Sequence, residues 1–462
     1  MSLVPTWKLR ARFAEKLSEL YGNEVPSYNT LVEVSTEVNE RFVSKYGAAA
    51  EQLGSISRVT AERHGAIRVG SPREMRQASR VFLALGMHPA GFYDLRDAKP
   101  SPIPVVSTAY RPLDREQLAL NPFRVFTSML VPEDRRFFDE GTEKRLTQFL
   151  EQRRLFSDEL LRLAEDAIAQ NGLSEMDTED FLTLSAAAFA LSDDPVDQEW
   201  YETLGKISSV AADIGGVTTT HINHLTPRVL DIDDLYSSMQ QRGIEMIDTI
   251  QGPPRWEGPD VLLRQTSFRA LSEPRTFRTA DGSITEGALR VRFGEVEARG
   301  LALTPAGRDL YDELIAEIDR RQAAEPDRDR IEVAVEVWRG GWPADLQGFL
   351  ERGLAFFNFS LVGDRPSEPA PLADLIDAGV VEILPIVYED FLPRSAAGIF
   401  SSNLTGEGSV DQEQGDAPRD LAWMSEVIGA PVNVPEEIYA REQADSLAAL
   451  SKDLGFAASL PE

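Results

Sequence analysis

The sequence predicts an α+β protein built around two similar modules, each in the order strand, helix, strand, strand, strand (βαβββ). The main observation is a pattern that occurs twice, as His64-Gly-Ala-Ile-Arg-Val-Gly-Ser71 and His224-Leu-Thr-Pro-Arg-Val-Leu-Asp231. In each copy an Arg follows the His by four residues and a helix-capping residue follows it by seven. Each copy closes a strand-like run and opens a helix. Because the chain has only four histidines, the repetition predicts a duplicated module in which each copy presents one imidazole to a shared centre.

The chain begins with an N-terminal unit, residues 1–54, in which amphipathic helices are predicted over 5–22 and 27–46. The first module is predicted over 55–132. Ser71-Pro72 supplies a capping residue followed by a proline at the first helical position, which is typical of a helix start. The expected elements of this module are a strand, a helix and three more strands, at 57–68, 72–85, 91–96, 103–110 and 123–131.

An insertion separates the two modules. Residues 133–208 are acidic and carry apolar residues at spacings of three and four, which predicts helices lying outside the sheet. The second module is predicted over 209–300, with Asp231 or Asp233 as the helix cap. Its expected elements repeat the first order, at 217–225, 232–242, 244–250, 261–271 and 288–298. Together the two modules are expected to form a curved, partly closed sheet around the shared centre.

Residues 301–462 are predicted to be an α/β extension that completes a pocket. Thr304-Pro305 indicates a helix start, and that helix is expected to continue to about Arg321. Residues 405–418 are polar and are expected to form a loop. The other expected elements are three short strands and a terminal helix, at 331–338, 354–362, 380–389 and 435–453.

Composition excludes several classes of function. The formal net charge is −29, from 47 basic and 76 acidic side chains, and such a surface repels the phosphate backbone of nucleic acids. The chain has no cysteine, so any metal must be held by His, Asp or Glu. We find no apolar run of 18 residues and no secretion signal at the start, and therefore expect a cytoplasmic protein with no membrane partner. The sequence does not predict an oligomeric state.

Two histidines and one carboxylate can hold a metal ion and leave coordination positions open for substrate and oxygen. His64 and His224 come from the repeat, and Glu295 is the candidate carboxylate. In the run 289–299, strand alternation places Leu289, Val291, Phe293, Glu295 and Glu297 on one face. A carboxylate that follows three apolar residues on one face points inward, where it needs a cation or a proton.

The neighbouring candidates leave alternatives open. Glu297 is expected at the rim of the site, either solvated or paired with Arg299. His221 competes with His224, but an offset of three residues places them on opposite strand faces, and the repeat favours His224. His88 lies in a turn and is expected to be structural. Arg68, four residues beyond His64 on the same face, suits a substrate carboxylate because of its planar fork; the alternative is a surface ion pair.

Three motifs carry a resemblance to known families. Phe293-Gly-Glu-Val-Glu-Ala-Arg299 resembles the iron-binding Phe-x-Glu-[Ile/Val]-x-x-Arg strand of 4-hydroxyphenylpyruvate dioxygenase-like enzymes, and the paired modules resemble the vicinal oxygen chelate superfamily. A resemblance over nearly the whole chain is to the 2-oxoadipate dioxygenase/decarboxylase family. Its motifs are found in Asn223–Asp233, in Phe293–Glu295 with Ala302–Pro305, and in Phe391–Phe400.

The resemblance implies an enzyme of lysine breakdown that converts 2-oxoadipate and O2 to 2-hydroxyglutarate and CO2. It implies iron(II) held by His64, His224 and Glu295, with Arg68 gripping a substrate carboxylate and Ser395 lining the pocket. Known members carry a Val-Ser pair where this chain has Arg394-Ser395, and Arg394 would alter the pocket entrance or add a second carboxylate anchor. Two other functions stay open. A glyoxalase-like isomerase or lyase usually offers four protein ligands, where this chain shows three, and a non-catalytic dicarboxylate-binding protein would show no turnover.

Overall fold

The computed structural model describes residues 3–47, 50, 54–98, 102–289, 292–392 and 418–460. Its N-terminal elements are a very short strand and three helices: β1 (Val4–Pro5), α1 (Thr6–Glu24), α2 (Ser27–Tyr46) and α3 (Ile56–Ala61). The two long N-terminal helices are therefore present as predicted. The strand predicted over 57–68 is wrong in its first half, because the Ser55 hydroxyl accepts the backbone N–H of Arg58 and caps α3.

The first module follows the predicted order, with one added short helix. Its elements are β2 (Arg63–Val69), α4 (Pro72–Ala84), β3 (His88–Asp94), β4 (Val105–Arg111), α5 (Arg115–Leu120) and β5 (Arg124–Leu130). Ser71 caps α4 by accepting the N–H of Glu74. The strands lie in the order β3-β4-β5-β2. Every residue of β4 and β5 is buried, so both faces of this sheet are covered.

The insertion is mainly helical, as predicted. It comprises α6 (Glu140–Gln152), α7 (Asp158–Gln170), β6 (Gly172–Leu173), α8 (Glu175–Ala188), β7 (Val196–Asp197) and α9 (Gln198–Gly205), with α10 (Ser209–Gly216) directly after it. All five helices begin at a Ser or Asp whose side chain caps the first turn. β6 pairs with β1, so this strand lies outside the sheet of the first module. β7 instead pairs parallel with residues 277–278 of the second module, so the insertion, predicted to lie outside the sheet, does not lie wholly outside the strands of the modules.

The second module is less regular than predicted. Its elements are β8 (His224–Pro227), α11 (Ile232–Gln241), β9 (Leu263–Ser267), β10 (Glu273–Arg278), β11 (Ile284–Leu289) and β12 (Glu295–Arg299). β8 begins at His224 rather than at 217. The strand predicted over 244–250 is wrong: isolated bridges at Met246 and Gln251 replace it. Pro253 and Pro254 follow, and because proline has no backbone N–H, regular pairing cannot continue there.

The two modules meet where β8 pairs antiparallel with β2 and extends the first sheet to the order β3-β4-β5-β2-β8. β12 pairs antiparallel with β9. It adjoins the end of β8 through the N–H of Val229, which donates to the carbonyl oxygen of Glu297 at 2.8 Å. Within the described residues the strands form five separate open sheets. The single curved sheet predicted for both modules is therefore not present as one hydrogen-bonded sheet.

The C-terminal extension is mixed, as predicted. It contains α12 (Pro305–Ala324), α13 (Arg330–Gly341), α14 (Leu346–Glu351), β13 (Phe357–Leu361), α15 (Leu372–Asp377), β14 (Val381–Pro385), α16 (Leu421–Ile428) and α17 (Pro435–Leu454). β13 and β14 pair antiparallel. The strand predicted over 331–338 is wrong, because these residues belong to α13. Asp329 caps this helix, and Val333 and Val337 lie four residues apart on its buried face. No helix in the described ranges is long and apolar enough to cross a membrane.

Candidate metal centre

Three buried side chains from three strands converge where the modules meet. His64 lies on β2, His224 on β8 and Glu295 at the start of β12. His64 Nε2 is 3.3 Å from Glu295 Oε1, and His224 Nδ1 is 3.6 Å from Glu295 Oε2. One ligand atom from each residue lies within 4.8 Å of the other two. The structure therefore brings together the three residues that the sequence nominated for a metal.

The donor atoms of this triad fit a divalent cation. Among the described residues, neither ring nitrogen of His224 has a hydrogen-bond partner, although the residue is only 5% exposed. Buried polar atoms are rarely left without a partner. A cation between the triad's donors would supply one for a ring nitrogen of His224. Two imidazoles and one carboxylate are the donor set of mononuclear non-haem iron sites that keep positions open.

The two imidazoles differ in their affinity for protons. Burial lowers the pKa of His224 to about 4, and the positive charges of His64 and Arg68 contribute to the shift. Burial also disfavours a charged His64, but the carboxylates of Glu297 and Glu295 outweigh it and raise its pKa. His224 is therefore a neutral imidazole at pH 7, which is the form that binds metals.

Glu295 is held in place by its neighbours. The side-chain amide of Gln265, on the adjacent strand β9, donates a hydrogen bond to Glu295 Oε1. Aromatic rings cover the two histidines: Phe391 lies 5.0 Å from the His64 ring and Phe293 lies 5.3 Å from the His224 ring, measured between centroids. β11 ends at Leu289 and β12 starts at Glu295. The predicted continuous strand over 288–298 is therefore wrong, although Glu295 points inward as expected.

Glu297 is fully buried, so its predicted solvated position at the rim is wrong. The predicted partnership with Arg299 is confirmed, at 2.7 and 3.0 Å to the two carboxylate oxygens. Arg124 Nη1 is 3.3 Å from Oε1, and His64 Nδ1 is 3.0 Å from Oε2. Burial opposes ionisation of Glu297, but Arg299 and His64 outweigh it and lower its pKa to about 2.

A buried charge network extends behind the triad, and sequence reasoning missed most of it. Glu62 accepts from Arg124 at 2.7 Å and from Arg228 at 3.0 Å. Glu389 also pairs with Arg124, and with Arg58 at the edge of the network. One signal was available: Glu62 is two residues before His64, so strand alternation places both on the same face.

Arg68 is buried, at 4% exposure, and points to the same face of β2 as His64. Its Nη1 forms an ion pair with Asp213 on α10. The predicted alternative of an ion pair is therefore present, but the pair is buried rather than on the surface. Asp213 also accepts from the side-chain amide of Asn223 at 3.1 Å and lies 3.1 Å from His221 Nε2. His221 therefore contacts Asp213 and is not part of the triad, for which the repeat favoured His224. We name these four residues the Arg68–Asp213 cluster.

Two of the nominated residues, Arg394 and Ser395, lie outside the described residues. The chain approaches them through Phe391 and Leu392, both of which are buried. Phe391 also belongs to an apolar cluster with Ala66, Tyr93 and Phe126 on the inner face of the first sheet. The Phe391–Phe400 motif thus begins beside His64.

Comparison with known proteins finds relatives that share one name, 2-oxoadipate dioxygenase/decarboxylase. The sequence profile of the 2-oxoadipate dioxygenase/decarboxylase family matches residues 13–403. A protein of that name from Mycobacterium bovis is 52% identical over 434 residues, which is 94% of this chain and 96% of the relative. Another from Pseudomonas putida is 38% identical over 96% of this chain and 97% of the relative. The crystal structure of the Pseudomonas putida hydroxyglutarate synthase in complex with 2-oxoadipate is similar, with a TM-score of 0.84, 36% identity and coverage of 99% of this chain and 100% of that one.

Proposed function

The chain belongs to the 2-oxoadipate dioxygenase/decarboxylase family, and on that premise we propose that it converts 2-oxoadipate and O2 to 2-hydroxyglutarate and CO2 with iron(II). The observation that carries the proposal is the buried triad of His64, His224 and Glu295, whose donor atoms lie within 4.8 Å of one another. The reaction balances in atoms, since both sides contain six carbons and seven oxygens. Its substrate would place the protein in lysine breakdown.

In this proposal the triad holds iron(II). When bound, the ion would supply the activation of O2, which is the oxidant of the reaction, since this donor set leaves coordination positions open. The protein's own contribution is to fix the donors and to exclude water. Phe391, Phe126 and Tyr93 form an apolar surface beside His64, which keeps bulk water from the reacting carbon.

Arg68 is proposed to bind the distal carboxylate of the substrate. Its guanidinium lies on the same strand face as His64, four residues along β2, or about 13 Å at the usual rise of a strand. In the strand register Arg68 is opposite Ser128, and Ser128 is opposite Ser107. The two hydroxyls are hydrogen-bonded to each other at 2.9 Å. These residues form a polar row that would receive the end of the substrate away from the metal.

Asp213 would hold Arg68 in position at the end of the proposed substrate site away from the metal. An isolated buried guanidinium would be costly, and the Asp213 carboxylate both neutralises Arg68 and fixes its direction. The protein's net charge of −29 repels dianions, so a fixed local cation is needed to bind one. Arg394 and Ser395 are proposed to complete the binding of the substrate from the segment after Leu392.

The test is O2 uptake by protein reconstituted anaerobically with ferrous iron. We expect uptake and CO2 release with 2-oxoadipate, and little with a 2-oxo acid that lacks the distal carboxylate. His64→Ala should abolish uptake, whereas His88→Ala, a change at the exposed start of β3, should leave it intact. Conversion without O2 uptake would favour the isomerase or lyase alternative, and binding without turnover would favour the non-catalytic one.

A further inference from the structure

We propose that Glu297 is a positioning residue that fixes the ring of His64, so that Nδ1 carries the proton and Nε2 is presented to the metal. The inference rests on the proposed function only in taking the triad as a metal site. It assigns a role to a carboxylate that does not itself belong to the triad. The observation behind it is the placement of one imidazole between two carboxylates of a single strand.

The two ring nitrogens of His64 face different carboxylates. Nε2 lies 3.3 Å from Glu295 Oε1, and Nδ1 lies 3.0 Å from Glu297 Oε2. The Nδ1 contact is at ion-pair distance and does not meet the geometry of a hydrogen bond. A neutral imidazole has one N–H, and a carboxylate at Nδ1 favours the proton there. The lone pair of Nε2 is then available on the side of Glu295 and His224.

Glu297 itself cannot easily turn away from His64. Arg299 binds both of its oxygens, and Arg299 in turn donates to the backbone carbonyl oxygens of Tyr388 and Asp390 at 2.7 and 3.1 Å. The backbone of Glu297 is fixed as well, because its carbonyl accepts from Val229 at 2.8 Å. A carboxylate held this firmly can fix the orientation of the imidazole ring that it contacts.

The alternation of β12 explains how one short strand performs three tasks. Side chains two residues apart lie on the same face of a strand. Glu295, Glu297 and Arg299 are therefore neighbours in one row, as the ligand candidate, the group that orients a second ligand, and the cation that holds that group. Histidines that bind metals usually donate their other N–H to such a group, and its loss typically weakens metal affinity 10- to 100-fold.

Glu62 offers a matched control from the same network. It is as buried as Glu297 and shares two of its cations, Arg124 at 2.7 Å and Arg299 at 3.5 Å. Its other partners are Arg228 and Arg58, and no contact joins it to the triad within the described residues. A loss of charge at Glu62 thus disturbs the network without releasing His64. Comparison of Glu62→Gln with Glu297→Gln separates a general effect of the network from a specific effect on the ring.

The experiment is an anaerobic titration of the metal-free full-length protein with Co²⁺, followed by its visible absorption. We expect Glu297→Gln to bind Co²⁺ roughly 10- to 100-fold more weakly than the wild type, with an altered spectrum. Glu62→Gln should bind within about threefold of the wild type and keep its spectrum. Wild-type affinity and spectrum in Glu297→Gln, or equal losses in both variants, would overturn the proposal.

A second measurement uses the wild type alone and holds even if a variant fails to fold. Nitrogen-15 NMR of the Zn²⁺-loaded protein reports the tautomer of each of the four histidines. We expect the proton of His64 on Nδ1; a proton on Nε2 would contradict the inference. A wild type that binds neither metal would contradict this inference and the proposed function together. Tight metal binding without turnover of 2-oxoadipate would contradict only the function.

Discussion

Removing Arg68 has two separable consequences, because its guanidinium is half of a buried ion pair. Arg68→Met leaves the Asp213 carboxylate buried without its guanidinium, with Asn223 and His221 as its remaining partners. Breaking a buried pair from one side typically costs about 3–5 kcal/mol of stability. Loss of activity in the single variant would therefore not distinguish a weakened fold from a lost substrate contact.

The double variant Arg68→Met with Asp213→Asn resolves the two effects. Replacing both charges by groups of similar size is often nearly neutral for stability, so the free energy of unfolding should return to within about 1–2 kcal/mol of the wild type. The substrate contact stays lost. A desolvated charge pair is worth roughly 2–5 kcal/mol of binding, so KM for 2-oxoadipate should rise about 30-fold or more.

The assays are urea unfolding and O2 uptake with two substrates. A 2-oxo acid without the distal carboxylate should be a poor substrate for the wild type, and the double variant should turn it over at nearly the same rate. Arg68→Lys should keep the charge but lose the fork, and so rescue use of 2-oxoadipate only in part. A double variant that uses 2-oxoadipate as well as the wild type would show that Arg68 serves the fold alone. Equal losses on both substrates would place Arg68 at the shared 2-oxo acid end.

Three further outcomes are expected. His64→Ala should lose metal binding while its far-UV circular dichroism and unfolding transition stay close to those of the wild type; a collapsed fold would contradict a role limited to the metal. Gln265→Leu should weaken metal binding several-fold, because Glu295 loses the donor that orients it; unchanged affinity would refute this. Burial opposes ionisation of Glu62, but Arg124 and Arg228 outweigh it and hold its pKa well below its usual range. Its stabilising contribution is therefore present above about pH 4.3 and lost at lower pH. In Glu62→Gln the slope of unfolding free energy against pH below that value should be shallower, and an identical slope would contradict the assignment.

The repeated histidine pattern predicted the two histidines of the triad because a repeated local structure places the same position at the same end of a strand, and the alternation of apolar residues before Glu295 predicted the carboxylate. The two copies differ in what their arginines contact. Arg68 pairs with Asp213, whereas Arg228, the equivalent position in the second copy, pairs with Glu62. The repeated pattern by itself does not distinguish the two arginines. The difference arises from the insertion, whose end places α10 and Asp213 beside the first copy.

Residues far apart in the sequence account for most of what was missed. Asp213, Glu389 and Arg124 meet their partners only through the folded chain, so no local spacing predicts them. The strand predicted over 331–338 failed for a related reason. Its alternating valines favour a strand locally, but the Asp329 cap and the core under Val333 and Val337 stabilise a helix.

The most direct test of the proposed reaction is turnover of 2-oxoadipate by the iron-reconstituted protein under ¹⁸O2. Loss of the first carbon as CO2 leaves the former keto carbon to become a carboxylate, and the adjacent carbon to become a secondary alcohol. We predict 2-hydroxyglutarate in which one ¹⁸O lies in the new carboxylate and the other in the hydroxyl, while the CO2 is unlabelled. A product without label from O2, or no O2 consumption while substrate is converted, would contradict the proposed function.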